Sequence, residues 1–205
     1  KVYLYKGGFC RFCVEQYTSD VAELDNVYIH LTNVAIQKHA NDYNDFHGGK
    51  WDMNDLMLFI ESTRGRVARD KLLADIEAVI LHSLKGVQSV IINDRHCFEL
   101  YGFDILLDRA LKPWLLEVNA SPSLSCTTEE DRLLKLRLIQ DVLNIVMPQT
   151  PHDGASDERT LFEYDAEVIG GFICILDEGK QKMREEERRS HAMDRRRPPP
   201  RIGTW

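Results

Sequence analysis

The sequence has no long hydrophobic run. Hydrophobic residues make up 43% of its 205 residues, which supports a core, but no apolar stretch approaches the roughly 20 residues that a membrane-spanning helix needs. We therefore expect a globular chain without a membrane partner. The sequence also lacks an RNA-recognition aromatic motif, so a nucleic acid is not the expected partner either.

Cysteine is scarce and irregularly spaced. The chain has five cysteines, at positions 10, 13, 97, 126 and 174, and an odd count with irregular spacing argues against a disulfide framework. We expect all five to be reduced. Cys10 and Cys13 have the spacing of a zinc or redox pair, but no second pair follows at ligand spacing, and both lie in a predicted strand. We therefore predict no function for this pair.

Glycine-rich phosphate loops are missing as well. The sequence contains neither a Walker-type loop nor a dinucleotide fingerprint, so these two glycine-based nucleotide sites are excluded. A dedicated covalent nucleophile is not indicated, because neither Ser121 nor Cys126 has a histidine neighbour in sequence to act as its base.

The most informative segment is residues 97–124, which read CFELYGFDILLDRALKPWLLEVNASPSL. Two apolar runs flank the turn-prone stretch 108–113, and this pattern predicts an antiparallel hairpin with its turn centred between Ala110 and Leu111. Pro122 cannot donate to a strand ladder, so the second strand is predicted to stop before it.

The register of this hairpin brings three polar side chains together. Asp104 lies opposite Glu117, and Asn119 shares their face because strand side chains alternate. Two carboxylates that face each other on buried strands repel unless a cation lies between them. Mg²⁺ fits this position because it binds carboxylate and water oxygens. The alternative is a solvent-facing polar stripe on an edge hairpin. The residues expected to bury the strands are Ile105, Leu106, Leu115 and Leu116.

Three helices are predicted around the hairpin, over residues 53–62, 69–90 and 129–147, with Asp52 as N-cap of the first. Acidic residues 129–131 complement the dipole of the third helix, which Thr127 or Thr128 caps. We expect the apolar stripes of the helices to pack in the core. The predicted stripe residues of the first two helices are Leu56, Phe59, Ile60, Leu72, Leu73, Ile76, Val79, Ile80, Leu84 and Val87.

Three segments together resemble one known family. Residues 98–124 resemble the carboxyl-terminal metal-binding segment of the tubulin tyrosine ligase-like family. Residues 30–51, HLTNVAIQKHANDYNDFHGGKW, resemble its HLTN segment and, in the HGGKW ending, its polyglutamylase branch; residues 3–11, YLYKGGFCR, are a third match. The three matches occur in the same order as in the family. Three long matches in the right order identify a family more specifically than any single motif does.

The resemblance implies a fold and a set of site residues. The fold is the carboxyl-terminal portion of an ATP-grasp fold, an α/β (α+β) architecture with an antiparallel sheet flanked by helices. The site residues that it implies are Asp104, Glu117 and Asn119 for Mg²⁺, Thr32 and Asn33 for ATP, and Arg11 and Lys50 as the catalytic and substrate-binding residues for free L-glutamate.

Arg11 and Lys50 have a chemistry that suits this role. A guanidinium offers a rigid fork to a carboxylate and an ammonium adds a point charge, so the pair fits an amino acid with two acidic groups. A glycine donor needs no partner for a side-chain carboxylate, so glutamate is the favoured donor. Without the resemblance, Arg11 would be interpreted as a strand-edge charge and Lys50 as a loop lysine.

The activity that the resemblance implies is ATP-dependent polyglutamylation of tubulin. An acceptor glutamate carboxylate becomes an acylphosphate, and the amine of free glutamate then displaces phosphate. The implied partners are the acidic carboxyl-terminal tails of tubulin, microtubules or the axoneme. The implied location is cytoplasmic and cytoskeletal, in the axoneme and basal body of a cilium or flagellum. Initiation and elongation of glutamate chains fit the sequence equally, as do alpha- and beta-tubulin as acceptors.

The chain is shorter than a full ligase of this family. The family's glycine-bearing loop, ATP-binding lysines and hinge would precede residue 1, so we expect the carboxyl-terminal part of an enzyme, inactive toward ATP by itself. A noncatalytic tubulin- or axoneme-binding module that retains the ligase fold is the alternative.

Three parts are predicted along the chain. Residues 1–148 form the carboxyl-terminal part of the catalytic domain, 149–178 a linker with a short docking segment, and 179–205 a charged, disordered tail. The stretch 161–176 either adds a strand to the core or docks on its surface. Residues 179–201 hold nine Lys or Arg and four Asp or Glu, so the tail would attract an acidic surface such as a tubulin tail or RNA. The alternative is a solvated, partly helical tail.

Overall fold

The computed structural model describes residues 1–44, 49–92, 94, 97–126, 128–147 and 167–183. The strands are β1 (Val2–Tyr5), β2 (Phe9–Arg11), β3 (Lys50–Asp52), β4 (Gly102–Leu107), β5 (Pro113–Asn119), β6 (Val168–Ile169) and β7 (Phe172–Leu176). The α-helices are α1 (Val27–His30), α2 (Val34–Gln37), α3 (Met53–Arg64), α4 (Arg66–Val87) and α5 (Glu129–Val146). No helix among the residues described combines the length and apolar character that crossing a bilayer requires.

The architecture is mixed α/β, as predicted, and every strand pair in the described ranges is antiparallel. The predicted antiparallel sheet is divided in these ranges. The strands instead form three small sheets, in the orders β1-β7-β6, β2-β3 and β4-β5.

Helices α3 and α4 follow each other with only Gly65 between them. Asp52 caps α3 as predicted, because its Oδ1 accepts a hydrogen bond from the Asn54 amide at 2.8 Å. Gly65 has a φ of 87°, a conformation that L residues rarely adopt, so it ends one helix and lets the next begin at once. The helices therefore cover Met53–Arg64 and Arg66–Val87, where the pattern predicted 53–62 and 69–90.

The hydrophobic core lies between these two helices. Met57, Ile60 and Leu72 form a buried cluster, and Leu72 is only 1% exposed. Leu107 and Leu111 pack against this cluster from the end of the β4-β5 hairpin. Burial of a leucine of this kind stabilises a fold by about 1.5–3 kcal/mol, so the helix pair anchors the hairpin.

The predicted helix stripes are only partly buried. Ile60, Leu72 and Ile80 are buried. Apolar residues spaced three and four positions apart, however, occupy a wider face of a helix than one neighbouring helix covers. The predicted stripe residues that are exposed are Phe59, Leu73 and Val87. Phe59 instead lies edge-on to Trp51, with 5.7 Å between the ring centroids.

The stretch 161–176 adds strands to the fold in the part that is described. Strand β7 pairs with β1, with Tyr5 opposite Phe172, and their ring centroids lie 4.8 Å apart. Residues 178–183 are helical. The linker at 149–166 and the tail from residue 184 lie outside the described residues, so the three predicted parts of the chain stay a prediction.

Helix α5 holds the turn between β6 and β7. Thr128 caps the helix, since its Oγ1 accepts from the Asp131 amide at 3.2 Å. Further along, Asp141 Oδ2 accepts from the Gly171 amide at 2.9 Å. Gly170 has a φ of 56°, and a Cβ added there would lie 2.0 Å from Asp141 Oδ1. Position 170 therefore requires glycine both for its backbone conformation and for lack of space for a Cβ.

Candidate active site

The paired carboxylates lie on a bulged hairpin. The turn is centred on Ala110, half a residue earlier than predicted, which by itself would misalign the pair. A bulge between Asp104 and Ile105 leaves Leu116 without a partner and shifts the register by one residue. Asp104 consequently lies opposite Glu117, as predicted. Bulges of this kind often re-aim side chains next to functional sites.

Asp108 fixes the turn of this hairpin. Its Oδ1 accepts from the amides of Ala110 at 2.8 Å and Lys112 at 3.0 Å, and its Oδ2 accepts from Trp114 Nε1 at 3.0 Å. The Trp114 bond and the backbone bonds lower the pKa of Asp108. Leu111 adopts a positive φ of 62° in the same turn. This network sets the register that the carboxylates depend on.

Asp104, Glu117 and Asn119 meet through their side chains. Asn119 Nδ2 donates to Glu117 Oε1 at 3.1 Å and to Asp104 Oδ2 at 3.4 Å. Partial burial, followed by the hydrogen bond and the charge of Glu117, raises the pKa of Asp104, while the positive charge of Arg11 opposes this shift. The predicted trio is therefore assembled, and Arg11 lies close enough for its charge to reach it.

The strands of the hairpin are not buried as predicted. Leu106, Leu115 and Leu116 are 53%, 38% and 62% exposed, and both carboxylates are exposed. Helix α4 is the described helix that packs most closely on β5, so one side of the hairpin lacks a cover within the described ranges.

The trio fits a hard divalent cation. Burial and then the hydrogen bond and charge of Glu117 raise the pKa of Asp104, and a positive charge between the two carboxylates would relieve their repulsion. The Asn119 amide, which now donates to both carboxylates, also carries an oxygen that hard cations accept. In the part of the chain that is described, no site gathers three or more His, Cys, Asp or Glu, and this one offers two carboxylates with an amide.

Asp104→Asn tests this fit without an activity assay. The raised pKa means that the Asp104 contribution to stability is present below its ordinary pKa of 3.8 and is lost as the pH rises through the folded value. At pH 7 the variant is therefore expected to have a higher Tm than wild type in the absence of Mg²⁺. Mg²⁺ at about 100 times its Kd would add about 2.7 kcal/mol to the free energy of unfolding of the wild type, and not to that of the variant.

The measurement is thermal unfolding at pH 7 with and without Mg²⁺. Asp42→Asn, which removes an exposed loop carboxylate, is the control and should keep the full Mg²⁺ response. An equal rise in Tm for Asp104→Asn and wild type would remove Asp104 from the metal site.

The turn after β5 packs beneath the trio. Strand β5 ends at Asn119, before Pro122, as predicted. A Cβ on Gly102 would lie 3.0 Å from Pro122 Cβ, and Gly102 is the residue opposite Asn119 in the ladder. The absence of a side chain at position 102 thus lets this turn approach the strand that faces Asn119.

Arg11 and Lys50 face each other on the β2-β3 ladder. They are direct partners in its register, and Lys50 begins a strand instead of lying in a loop. Both charged groups lie against the ring of Phe9, with Arg11 Cζ 5.3 Å and Lys50 Nζ 4.9 Å from its centroid. Like charges directly opposite each other destabilise a sheet, so this pair is suited to an anionic ligand.

Asp131 and Lys135 are site neighbours that the sequence analysis missed. Asp131 was assigned to the helix dipole, but its side chain is 4% exposed and its Oδ2 lies 3.2 Å from Lys50 Nζ. Lys135 Nζ lies 3.1 Å from Asp131 Oδ1. The spacing of four residues between Asp131 and Lys135 was the available signal, because it places both on one helix face.

Thr32 and Asn33 lie between the short helices α1 and α2, and both are exposed. Asn33 caps α2, since its Oδ1 accepts from the Ala35 amide at 2.9 Å. Gln37, 2% exposed, anchors this segment: its Oε1 accepts from the Val14 amide at 2.8 Å. Gln37 had no role in the sequence analysis.

The seven predicted site residues line one open cleft of about 2490 Å³. Strands β1, β2, β4 and β5 and helices α4 and α5 contribute to its walls. The cleft thus brings together the carboxylate pair from one hairpin, the cations from another and the HLTN segment. They are Arg11, Thr32, Asn33, Lys50, Asp104, Glu117 and Asn119.

The thiols of Cys10 and Cys13 are poorly suited to metal or redox chemistry. All five are free thiols, as predicted. Burial and the nearby charge of Asp52 raise the pKa of Cys10 to about 11, and burial raises the pKa of Cys13. Both thiols are protonated at neutral pH, which disfavours zinc or redox chemistry. The prediction that both lie in a strand is wrong for Cys13, since β2 ends at Arg11.

The mixed α/β fold and a cleft with paired carboxylates and facing cations are the features that the resemblance to this family led us to expect. Residues 1–154 match the tubulin-tyrosine ligase family, and the chain belongs to that family. The family prediction made from the three sequence segments is therefore confirmed.

Curated relatives narrow the branch. The chain is 50% identical over 182 residues to the probable alpha-tubulin polyglutamylase Ttll1 of Tetrahymena thermophila, covering 89% of this chain and 44% of that protein. It is 47% identical over 179 residues to the probable tubulin polyglutamylase TTLL9 of Bos taurus, covering 87% and 36%. It is 42% identical over 178 residues to the probable tubulin polyglutamylase ttll-9 of Caenorhabditis elegans, covering 87% and 40%. The chain thus spans less than half the length of these relatives.

Proposed function

We propose that the full-length protein is an ATP- and Mg²⁺-dependent ligase that adds free L-glutamate to glutamate side chains in the acidic tails of tubulin. The observation that carries this proposal is the shared cleft, which both the carboxylate pair and the facing cations line, and in which the charge of Arg11 reaches Asp104. The similarity to proteins named as polyglutamylases supports the choice of substrate. The fold that we propose for the chain is the carboxyl-terminal portion of an ATP-grasp fold.

The protein's own residues have separate tasks in this reaction. Arg11 and Lys50 bind carboxylates of free glutamate, so that its amine points to the activated acceptor. The acceptor carboxylate takes the terminal phosphoryl group of ATP, with release of ADP, and becomes an acylphosphate. The glutamate amine forms the new amide bond as phosphate leaves, and the amine nitrogen loses a proton.

The nucleotide side of the cleft has its own residues. Asp104, Glu117 and Asn119 would hold Mg²⁺, whose charge would offset that of the phosphates. Thr32 and Asn33 contact the nucleotide, and the capping bond of Asn33 holds its segment in place. Phosphoryl transfer depends mainly on position and electrostatics, which agrees with a sequence in which no covalent nucleophile is indicated.

Incorporation of labelled glutamate into tubulin tests the proposal. The full-length protein with ATP, Mg²⁺ and microtubules is expected to transfer label to tubulin, and omission of ATP should abolish transfer. Microtubules whose acidic tails have been removed are the control and should receive no label. Binding to microtubules without any transfer would favour the noncatalytic module instead. A cytoskeletal location, in the axoneme or basal body, is part of the proposal.

A further inference from the structure

Lys135 on α5 shares an environment with the two cations of the predicted donor site. Its Nζ lies 5.9 Å from the centroid of the Phe9 ring, the ring that Arg11 and Lys50 also approach. Lys135 lines the same cleft as these two residues. Its side chain is 13% exposed, as is that of Lys50. We call Arg11, Lys50 and Lys135 the basic cluster.

Asp131 lies behind the basic cluster and contacts two of its members. One carboxylate oxygen is 3.2 Å from Lys50 Nζ and the other is 3.1 Å from Lys135 Nζ. At 4% exposure this carboxylate is shielded from water, and a buried charge is tolerated when it is paired with opposite charges, as here where both ammonium groups donate to Asp131 Oδ2. Asp131 thereby fixes how far apart the two ammonium groups stand in the cleft wall.

The charges of this group do not balance. Asp131 supplies one negative charge against three positive charges of the basic cluster, and Arg11 and Lys50 are forced together by the ladder. Among these four side chains two positive charges are in excess, and the negative charge of Asp104 and Glu117, which Arg11 also feels, would be offset by Mg²⁺ in the proposed site. Free glutamate carries two carboxylates and so matches this excess, whereas glycine carries one.

We propose that Lys135 binds a carboxylate of the free amino acid together with Arg11 and Lys50, and that Asp131 is the positioning residue that holds both lysines for this task. This inference rests on the proposed function and names the part of the same site that selects a dicarboxylic donor. The Lys135 ammonium also donates to the Ser125 carbonyl, so its position is fixed from both sides before any substrate binds.

The test uses glutamate kinetics of the full-length protein. Lys135→Met is expected to raise the KM for glutamate about tenfold or more, because a hydrogen bond to a charged group is lost, with the KM for ATP unchanged. Asp131→Asn keeps the shape of the side chain and is expected to raise the same constant. Lys135→Arg keeps the charge and should recover most of the affinity. Lys71→Met, which removes a lysine of an exposed ion pair on α4, is the matched control and should leave both constants unchanged.

The outcomes separate this inference from the proposed function. If wild type transfers no glutamate, the proposed function fails. If wild type is active and Lys135→Met leaves the KM for glutamate unchanged, only the role of Lys135 is overturned. A lower kcat for Lys135→Met and Lys135→Arg alike, with an unchanged KM for glutamate, would assign Lys135 to structure and would also overturn the proposal.

Discussion

Glu117→Gln in the full-length protein is expected to reduce glutamate incorporation into tubulin by at least about 100-fold. Changes to groups that only support a metal ligand typically cost about 10- to 100-fold, and Glu117 is itself one of the two paired carboxylates. The amide has the same shape but no charge, so one side of the proposed Mg²⁺ site is lost. The measurement is the initial rate of label transfer at saturating ATP and Mg²⁺.

Glu130→Gln is the matched control for this substitution. Glu130 is exposed on the first turn of α5, and its change removes the same charge from the same residue type. We expect it to retain the wild-type rate. A Glu117→Gln protein that still incorporates glutamate at a rate near wild type would contradict the metal site and the mechanism built on it.

Gly170→Ala is expected to lower the free energy of unfolding by about 3 kcal/mol. A left-handed backbone costs an L residue about 1–2 kcal/mol, and Gly170 has a φ of 56°. The new Cβ would also displace Asp141, whose carboxylate holds the Gly171 amide at 2.9 Å, and loss of a hydrogen bond to a charged group costs about 1.5–3 kcal/mol. The turn that docks β6 and β7 on α5 would therefore loosen.

The measurement is the urea midpoint of the full-length protein at constant m, because a change in midpoint alone reports stability. Gly86→Ala is the control: Gly86 lies within α4 and an added Cβ would meet nothing within 4 Å. That substitution is expected to stabilise the protein by about 0.5–1 kcal/mol, since alanine favours a helix. Equal stability of Gly170→Ala and wild type would show that the contact with Asp141 contributes little.

The HLTN segment contains residues that the motif predicted, but the residue that holds the segment in place was not predicted. The motif identified Thr32 and Asn33 from the sequence, and the structure places both in the cleft. The buried amide of Gln37 holds the segment to Val14, which is distant in sequence. A single glutamine gives no periodic signal, so its role could not be predicted.

The sequence was sufficient to predict several local elements of secondary structure. Asp52 before an apolar repeat predicted the start of α3, and Thr127 or Thr128 before three acidic residues predicted the start of α5, which Thr128 caps, because capping depends on residues close in sequence. The alternation around the 108–113 turn predicted the β4-β5 hairpin for the same reason. Family membership also followed from short segments in a fixed order.

The tertiary structure decided what depends on contacts between distant segments. The bulge at Leu116 restores the pairing of Asp104 with Glu117, and no local preference of the sequence indicated it. The partnership of Asp131 with Lys50 joins residues 81 positions apart, so local reasoning could offer the helix dipole or the pairing with Lys135 four residues on, but not the contact with Lys50. The exposure of the hairpin leucines was decided by which elements pack on them. Periodicity tells which residues share a face, but burial depends on what the folded chain brings to that face.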